Sequence, residues 1–277
     1  MDRLTLFWIF HLIFLTLFCL EMVFVCSIWL RGRMPGLPLS TSRWRKAVAG
    51  LGYLLRLIFS RRLWVFITTT VSDGLVHRRL YRVDLRRWGA HIAVFGSLAI
   101  LGFLSTITGV AVEITPKLFP ADHFFNTNII ATTLRDVDHP VIAFANDFFG
   151  LVMLAGLLFM IYRRYILKDP QLRTAGGDTA ILVLLTALVV SGYWVEIFRL
   201  LAVQPFVSTA GWAFIGYPFA RLIQATNLPW PVLYNASFWL HFLIANAILF
   251  YAPFSRFAHV IMSPLIVAVN ATEEATA

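Results

Sequence analysis

From Leu4 to Leu30 the chain is apolar, broken only by His11 and Glu21. A helix needs about 20 predominantly apolar residues to cross the ~30 Å hydrocarbon core of a bilayer. Inside that core only a helix or a closed barrel satisfies its own backbone groups. The run therefore predicts a transmembrane helix. Four more follow, at about Trp88 to Val112, His139 to Tyr162, Asp178 to about Val203, and Trp239 to Pro264. The composition agrees, with 59% hydrophobic and 13% charged residues and a mean hydropathy of +0.77. A soluble domain is closer to half apolar and a quarter charged. The expected fold is an all-α membrane protein, a five-transmembrane-helix bundle.

The first run is too long for the apolar region of a signal peptide and lacks an A-x-A-type end, so it reads as a retained span. Glu21, deep inside it, is either a protonated or paired carboxyl at a helix contact or part of a proton path. The character changes between Arg31 and Arg87, where thirteen Lys and Arg residues separate short apolar pieces. Neither AVAGLGYLL nor LWVFITTTV is long enough to span. A basic amphipathic segment of this kind lies against anionic lipid headgroups or a docked subunit, and His77 belongs to its surface. His139-Pro140 opens the third span, with proline placed where its missing N–H costs nothing. Asp178 and Thr179 offer capping chemistry at the start of the fourth. Four regions result: 1–30, the first span; 31–87, the amphipathic segment; 88–268, a four-helix membrane domain; and 269–277, a short tail.

The basic residues also set the topology. Eighteen of the twenty-three lie in 31–87, in 163–173 and at Arg256, all on one side of a five-span chain. The positive-inside rule then places the N-terminus outside and the C-terminus in the cytoplasm, as expected of a multi-pass protein of the cytoplasmic (inner) membrane. The net charge of +9 is accounted for by this asymmetry and does not call for nucleic acid. Cys19 and Cys26 form no CxxC pair, so iron–sulfur or zinc chemistry must come from a partner.

Five histidines fall in or at the ends of spans. His241 and His259 stand eighteen residues apart in the last run. On one continuous helix they would share a face ~27 Å apart, one near each membrane surface. His91 lies near the cytoplasmic surface with His259, while His139 and His11 come out near the outer surface with His241. A haem b takes two axial histidines from facing helices at one depth. His91 with His259 meets that condition for an inner haem. For an outer haem, depth leaves both His139 and His11 open as the partner of His241.

LHFLIANAILFYAPFSRFAH in the last run and RRWGAHIAVFGSLAILGFL in the second resemble the nitrate reductase gamma subunit superfamily, five-helix di-haem cytochrome b subunits that exchange electrons with quinone. The closing motif is H-x17-H with PFSR-x-x-H inside it, and the resemblance covers roughly residues 75 to 265. In the nitrate reductase branch the second span carries two histidines ten residues apart; here the first is His91 and the second position is Leu101. HPVIAFAN, opening the third span, is similar to a motif in the membrane subunits of quinone-interacting oxidoreductases of sulfur metabolism and in the heterodisulfide reductase cytochrome b. That similarity implies His139 with His241 at the outer haem, with His11 as the alternative.

The resemblance implies a haem b membrane subunit of a respiratory oxidoreductase complex. It would carry electrons between quinone (menaquinone or ubiquinone) and a cytoplasmic Fe–S protein or flavoprotein, through two haems, or one if only His91 and His259 bind. Glu196 and Arg199, at the outer end of the fourth span, either pair with each other or line a quinone pocket; Asn146 and Asp147 are further polar candidates there. Arg86, Arg87 and Arg256 are placed to meet propionates of the inner haem. The chain has no nucleotide-binding glycine motif and no nucleophile constellation, so it reads as a subunit of a larger enzyme. The rival reading is a non-redox membrane anchor or transporter whose histidines are structural or bind metal.

Overall fold

The structure is a computed structural model that describes residues 3–34, 37–169, 176–203, 205–255 and 258–274. The side chains of Leu4 and of 259–261 lie outside the described residues. Among the described residues there is no strand, and five helices are long and apolar enough to cross a membrane: Thr5–Trp29, Leu85–Leu118, Pro140–Ile166, Gly176–Ala202 and Trp230–Phe254. The chain is a multi-pass all-α membrane protein. It divides into two compact units, each described in turn.

The first unit comprises Met1–Leu85, Gly176–Ile181 and Asn246–Ala277. The basic segment forms the helices Arg43–Ile58 and Arg62–Thr69, followed by a π-helical turn Thr70–Leu75. Ser42 caps the first, its side chain accepting from the Arg45 N–H. Trp44, Val48, Leu51, Leu55 and Ile58 recur at three- and four-residue intervals and stay exposed on one face. That is the pattern of a helix lying in a membrane interface. Lys46 is buried and reaches the Gly32 carbonyl with Nζ at 2.8 Å.

The last run departs from the expected single helix. Its helix ends at Tyr251, a 3-10 turn occupies Ala252–Phe254, Ser255 is extended, and a separate helix runs Ala258–Glu274. Proline explains the break: Pro253 has no N–H to donate and its ring clashes with the carbonyl four residues earlier. His241 and His259 are therefore not on one helix face. His241 stands eleven residues from one end of Trp230–Phe254 and thirteen from the other, so it lies near mid-span instead of at the outer surface. The terminal helix packs along 62–75. Gly74 meets it so closely that a Cβ would lie 2.6 Å from Cβ of Pro264. Thr272, fully buried, hydrogen-bonds Tyr53 Oη at 2.7 Å. Residues 269–274, expected as part of a short tail, are thus packed helix, because small Ala271 and Thr272 fit against the basic segment's helices.

The second unit comprises Arg86–Ala175 and Leu182–Ala245. The second and third spans pack lengthwise. They approach closely at Gly156, where an added Cβ would lie 2.9 Å from both Ala93 Cβ and Val94 Cγ2, just beyond His91. Loop 113–138 is tied by Arg135, which donates to the carbonyls of Ala111 (2.7 Å) and Asn126 (3.1 Å), to Thr115 Oγ1 and to Asn126 Oδ1. A small-residue core joins Ala143 of the third span, Ile197, Leu200 and Leu201 of the fourth, and Ala210, Ala213 and Ala220 of the following loop and short helix Gly216–Ile223. Those apolar contacts fold the loop back onto the helices. The arrangement brings backbone N–H groups within reach of side chains inside the spans.

Candidate functional site

His241 is held by the fourth span. The Ser191 hydroxyl donates to the Leu188 carbonyl at 3.0 Å, so its oxygen is left to accept from His241 Nδ1 at 2.9 Å. The imidazole also hydrogen-bonds the Leu188 backbone. Both contacts put the ring proton on Nδ1 and leave the Nε2 lone pair for a metal. An imidazole oriented by a hydrogen bond from its second nitrogen is the usual state of a metal-ligating histidine. Gly192 lies against the ring, and a Cβ there would be in ordinary van der Waals contact, 3.4 Å from His241 Cε1. On this test His241 fits one side of a haem.

His139 does not come to the same level. It caps the third span, its Nδ1 accepting from the Val141 N–H at 3.3 Å. Its neighbour Asp138 takes both guanidinium nitrogens of Arg199 at 2.8 and 3.0 Å. Arg199 and Ser191 are eight residues apart on one helix, ~12 Å along its axis. His139 and His241 are thus separated by two turns or more in height. One iron needs both imidazoles at one height, so the expected pairing of His139 with His241 does not fit this packing. The physical reason is that His139 belongs to the helix cap, at the very end of its span.

The remaining histidines are placed singly. His91 closes the helix Leu85–His91, its ring 4.5 Å from that of Phe95, and a π-helical turn Ile92–Gly96 follows at once. Such widened turns recur at functional sites because they re-aim side chains without ending the helix. His11 stacks on Phe7 in the first unit, with ring centroids 5.6 Å apart. His259 lies on the terminal helix with its side chain outside the described residues, as does Arg256 altogether.

Glu196 and Arg199 do not pair with each other. Arg199 is engaged by Asp138, while the Glu196 carboxyl stands beside that of Asp147 on the third span, with Gly216 against both. Asp147 is fully buried, and its Oδ2 accepts from the N–H groups of Ile215 (2.6 Å) and Gly216 (3.3 Å). Tyr193 Oη donates to the Asp147 carbonyl at 2.9 Å. Two carboxyl groups, a phenol and two backbone donors thus meet inside one unit. Sequence reasoning named Glu196 and Asp147 separately and passed over Ser191, Gly192 and Gly216. The adjacent Ser-Gly in the fourth span, a small polar residue beside a small gap, was the signal for the first two. Gly216 carried none.

Residues 68–271 match the family model described as nitrate reductase gamma subunit. Among curated proteins, the chain is 24% identical over 200 residues to the E subunit of the dihydromethanophenazine:CoB–CoM heterodisulfide reductase of Methanosarcina barkeri, over 72% of this chain and 65% of that protein. Its counterpart in Methanosarcina acetivorans is 24% identical over 72% of this chain and 64% of its own length. The chain therefore spans just under two thirds of these relatives. No solved structure matches.

Proposed function

The chain belongs to the nitrate reductase gamma subunit family, and on that footing we propose that it is the haem b membrane subunit of a respiratory oxidoreductase complex in the cytoplasmic membrane. It passes electrons between membrane quinone and a cytoplasmic Fe–S protein or flavoprotein. The observation that carries this reading is His241. It is a mid-span imidazole whose Nδ1 is committed to Ser191, and an intramembrane histidine is costly unless it serves a site.

His241 and His91 are the described residues that would hold haem. When bound, haem supplies one-electron chemistry at a potential set by its ligands and their hydrogen bonds. The chain's own contribution is positioning. Ser191 and Leu188 fix the His241 tautomer, and Phe95 packs on His91. Glu196, half-buried near the C-terminal end of the fourth span, is the carboxyl that exchanges a quinol proton. Arg199, neutralised by Asp138, anchors the third span to the fourth. The exposed apolar face of Arg43–Ile58 lies on the membrane and leaves its basic face for anionic lipid headgroups and the cytoplasmic partner.

The test is the dithionite-reduced minus air-oxidised spectrum of the chain purified from a haem-replete membrane. A cytochrome b alpha band is expected, and menaquinol or ubiquinol should generate it as well. No alpha band would instead leave a membrane anchor or transporter with structural histidines.

A further inference from the structure

We infer that Asp147 and Glu196 form one proton-binding pair inside the membrane and that, on the quinone reading above, this pair receives the proton of a hydroquinone hydroxyl. Asp147 is the buried partner. It is 0% exposed, and its Oδ2 is taken by the N–H groups of Ile215 and Gly216. Oδ1 is buried and meets no hydrogen-bond donor among the described residues. The Glu196 carboxyl stands beside that of Asp147: the Gly216 N–H is 3.3 Å from Asp147 Oδ2, and a Cβ on Gly216 would be 2.5 Å from Glu196 Oε2. Two carboxylates in contact in a low-dielectric interior cannot both be ionised; a single proton between them removes the repulsion and supplies the missing donor.

The surroundings favour this arrangement. Arg199 is the cation nearest in sequence, but its guanidinium donates its hydrogen bonds bidentately to Asp138, so its charge is shared with that carboxylate. Tyr193 spends its hydroxyl proton on the Asp147 carbonyl, leaving none for the side chain. Gly216 lets the backbone turn lie directly against Glu196: a Cβ there would stand 2.5 Å from Oε2. The pair is also asymmetric. Asp147 is sealed, whereas Glu196 is half-buried and six residues from the end of its helix at Ala202. A proton enters and leaves through Glu196, and Asp147 with its two backbone donors keeps the charge of the pair tolerable between transfers. In the transfer itself the hydroquinone O–H bond breaks and a carboxyl O–H bond forms, taking the pair from one proton to two. The pair then returns to one proton by release through Glu196 at the C-terminal end of the fourth span.

Infrared spectroscopy of the full chain in nanodiscs tests the pairing without any redox turnover. Asp147→Asn retains an oxygen for the Ile215 and Gly216 donors, and Glu196→Gln retains the shape of the second partner. Each single variant should remove the same protonated-carboxyl band, and the double variant should remove no more. Two separate bands, or none affected, would overturn the pair. In the native complex, both single variants should slow quinol oxidation on the order of 10²-fold while decylubiquinone binds within threefold of wild type. Turnover within threefold of wild type would overturn the acceptor role. If wild type binds no decylubiquinone while the shared band is present, the quinone reading fails and the acceptor role falls with it, although the proton-binding pair stands.

Discussion

Ser191→Ala removes a single oxygen and tests whether His241 is held for a metal. In the wild type, His241 Nδ1 gives its proton to Ser191 Oγ at 2.9 Å, and Ser191 passes its own to Leu188 at 3.0 Å. Without the hydroxyl, the imidazole keeps only its bond to the Leu188 backbone. Its orientation then rests on one acceptor in a place where Gly192 provides no side chain to wall it in. Loss of an outer-shell partner of a ligating histidine typically weakens metal binding 10- to 100-fold, which is about 1.4 to 2.7 kcal/mol. Ser191 is buried among apolar helices, so the Ala side chain itself fits, and the fold should hold. The assay is haem transfer from the purified chain to excess apomyoglobin, followed optically. The variant should release haem faster by about that factor, and Ser191→Thr should recover most of the difference. Release within twofold of wild type, with His241→Ala depleted of haem, would show that the Ser191 contact does not orient a ligand.

Three other outcomes follow from the packing. His139→Asn keeps a capping side chain, and because His139 stands two turns or more from the level of His241, the haem-to-protein ratio should stay at the wild-type value; loss of a haem would refute the offset. Gly156→Val places side-chain atoms where even a Cβ would be 2.9 Å from Ala93 and Val94, an overpacking worth about 1 to 3 kcal/mol. It should lower the thermal midpoint in detergent and disturb the haem nearest His91, whereas a variant as stable as wild type would mean that the two spans do not meet there. Thr272→Val removes a buried hydroxyl bonded to Tyr53 Oη, at a cost of about 0.5 to 1.5 kcal/mol. It should speed proteolysis of the C-terminal helix, and an unchanged rate would argue that this helix is not docked on the basic segment.

The spans were legible because hydrocarbon imposes length and apolarity on any helix that crosses it, and Leu4 to Leu30 could satisfy little else. The caps at Ser42 and at His139-Pro140 follow equally local rules. The end of the fifth span was also written in the chain: Pro253 stands twelve residues after His241. The even spacing of two histidines outweighed it, and that spacing has structural meaning only on an unbroken helix. The polar contacts were not legible. Glu196 had Arg199 one turn away on its own helix, yet Glu196 lies beside Asp147 of the third span and Arg199 pairs with Asp138 in the turn before it. Which of two nearby charges a side chain takes depends on how neighbouring helices are rotated and shifted. That is set by small residues such as Gly150, where a Cβ would stand 2.7 Å from Tyr193 Oη, and Gly156 against Ala93 and Val94, whose role appears only when the helix opposite is known.

The central claim is that His241 ligates haem in the membrane. The most direct measurement is the pyridine haemochrome content per chain of His241→Ala beside wild type, each purified from the same haem-replete membranes. A single mid-span ligand lost should lower the content by one haem per chain and remove its contribution to the reduced alpha band. Equal haem content and identical bands in the two proteins would contradict the claim and return His241 to a structural role beside Ser191.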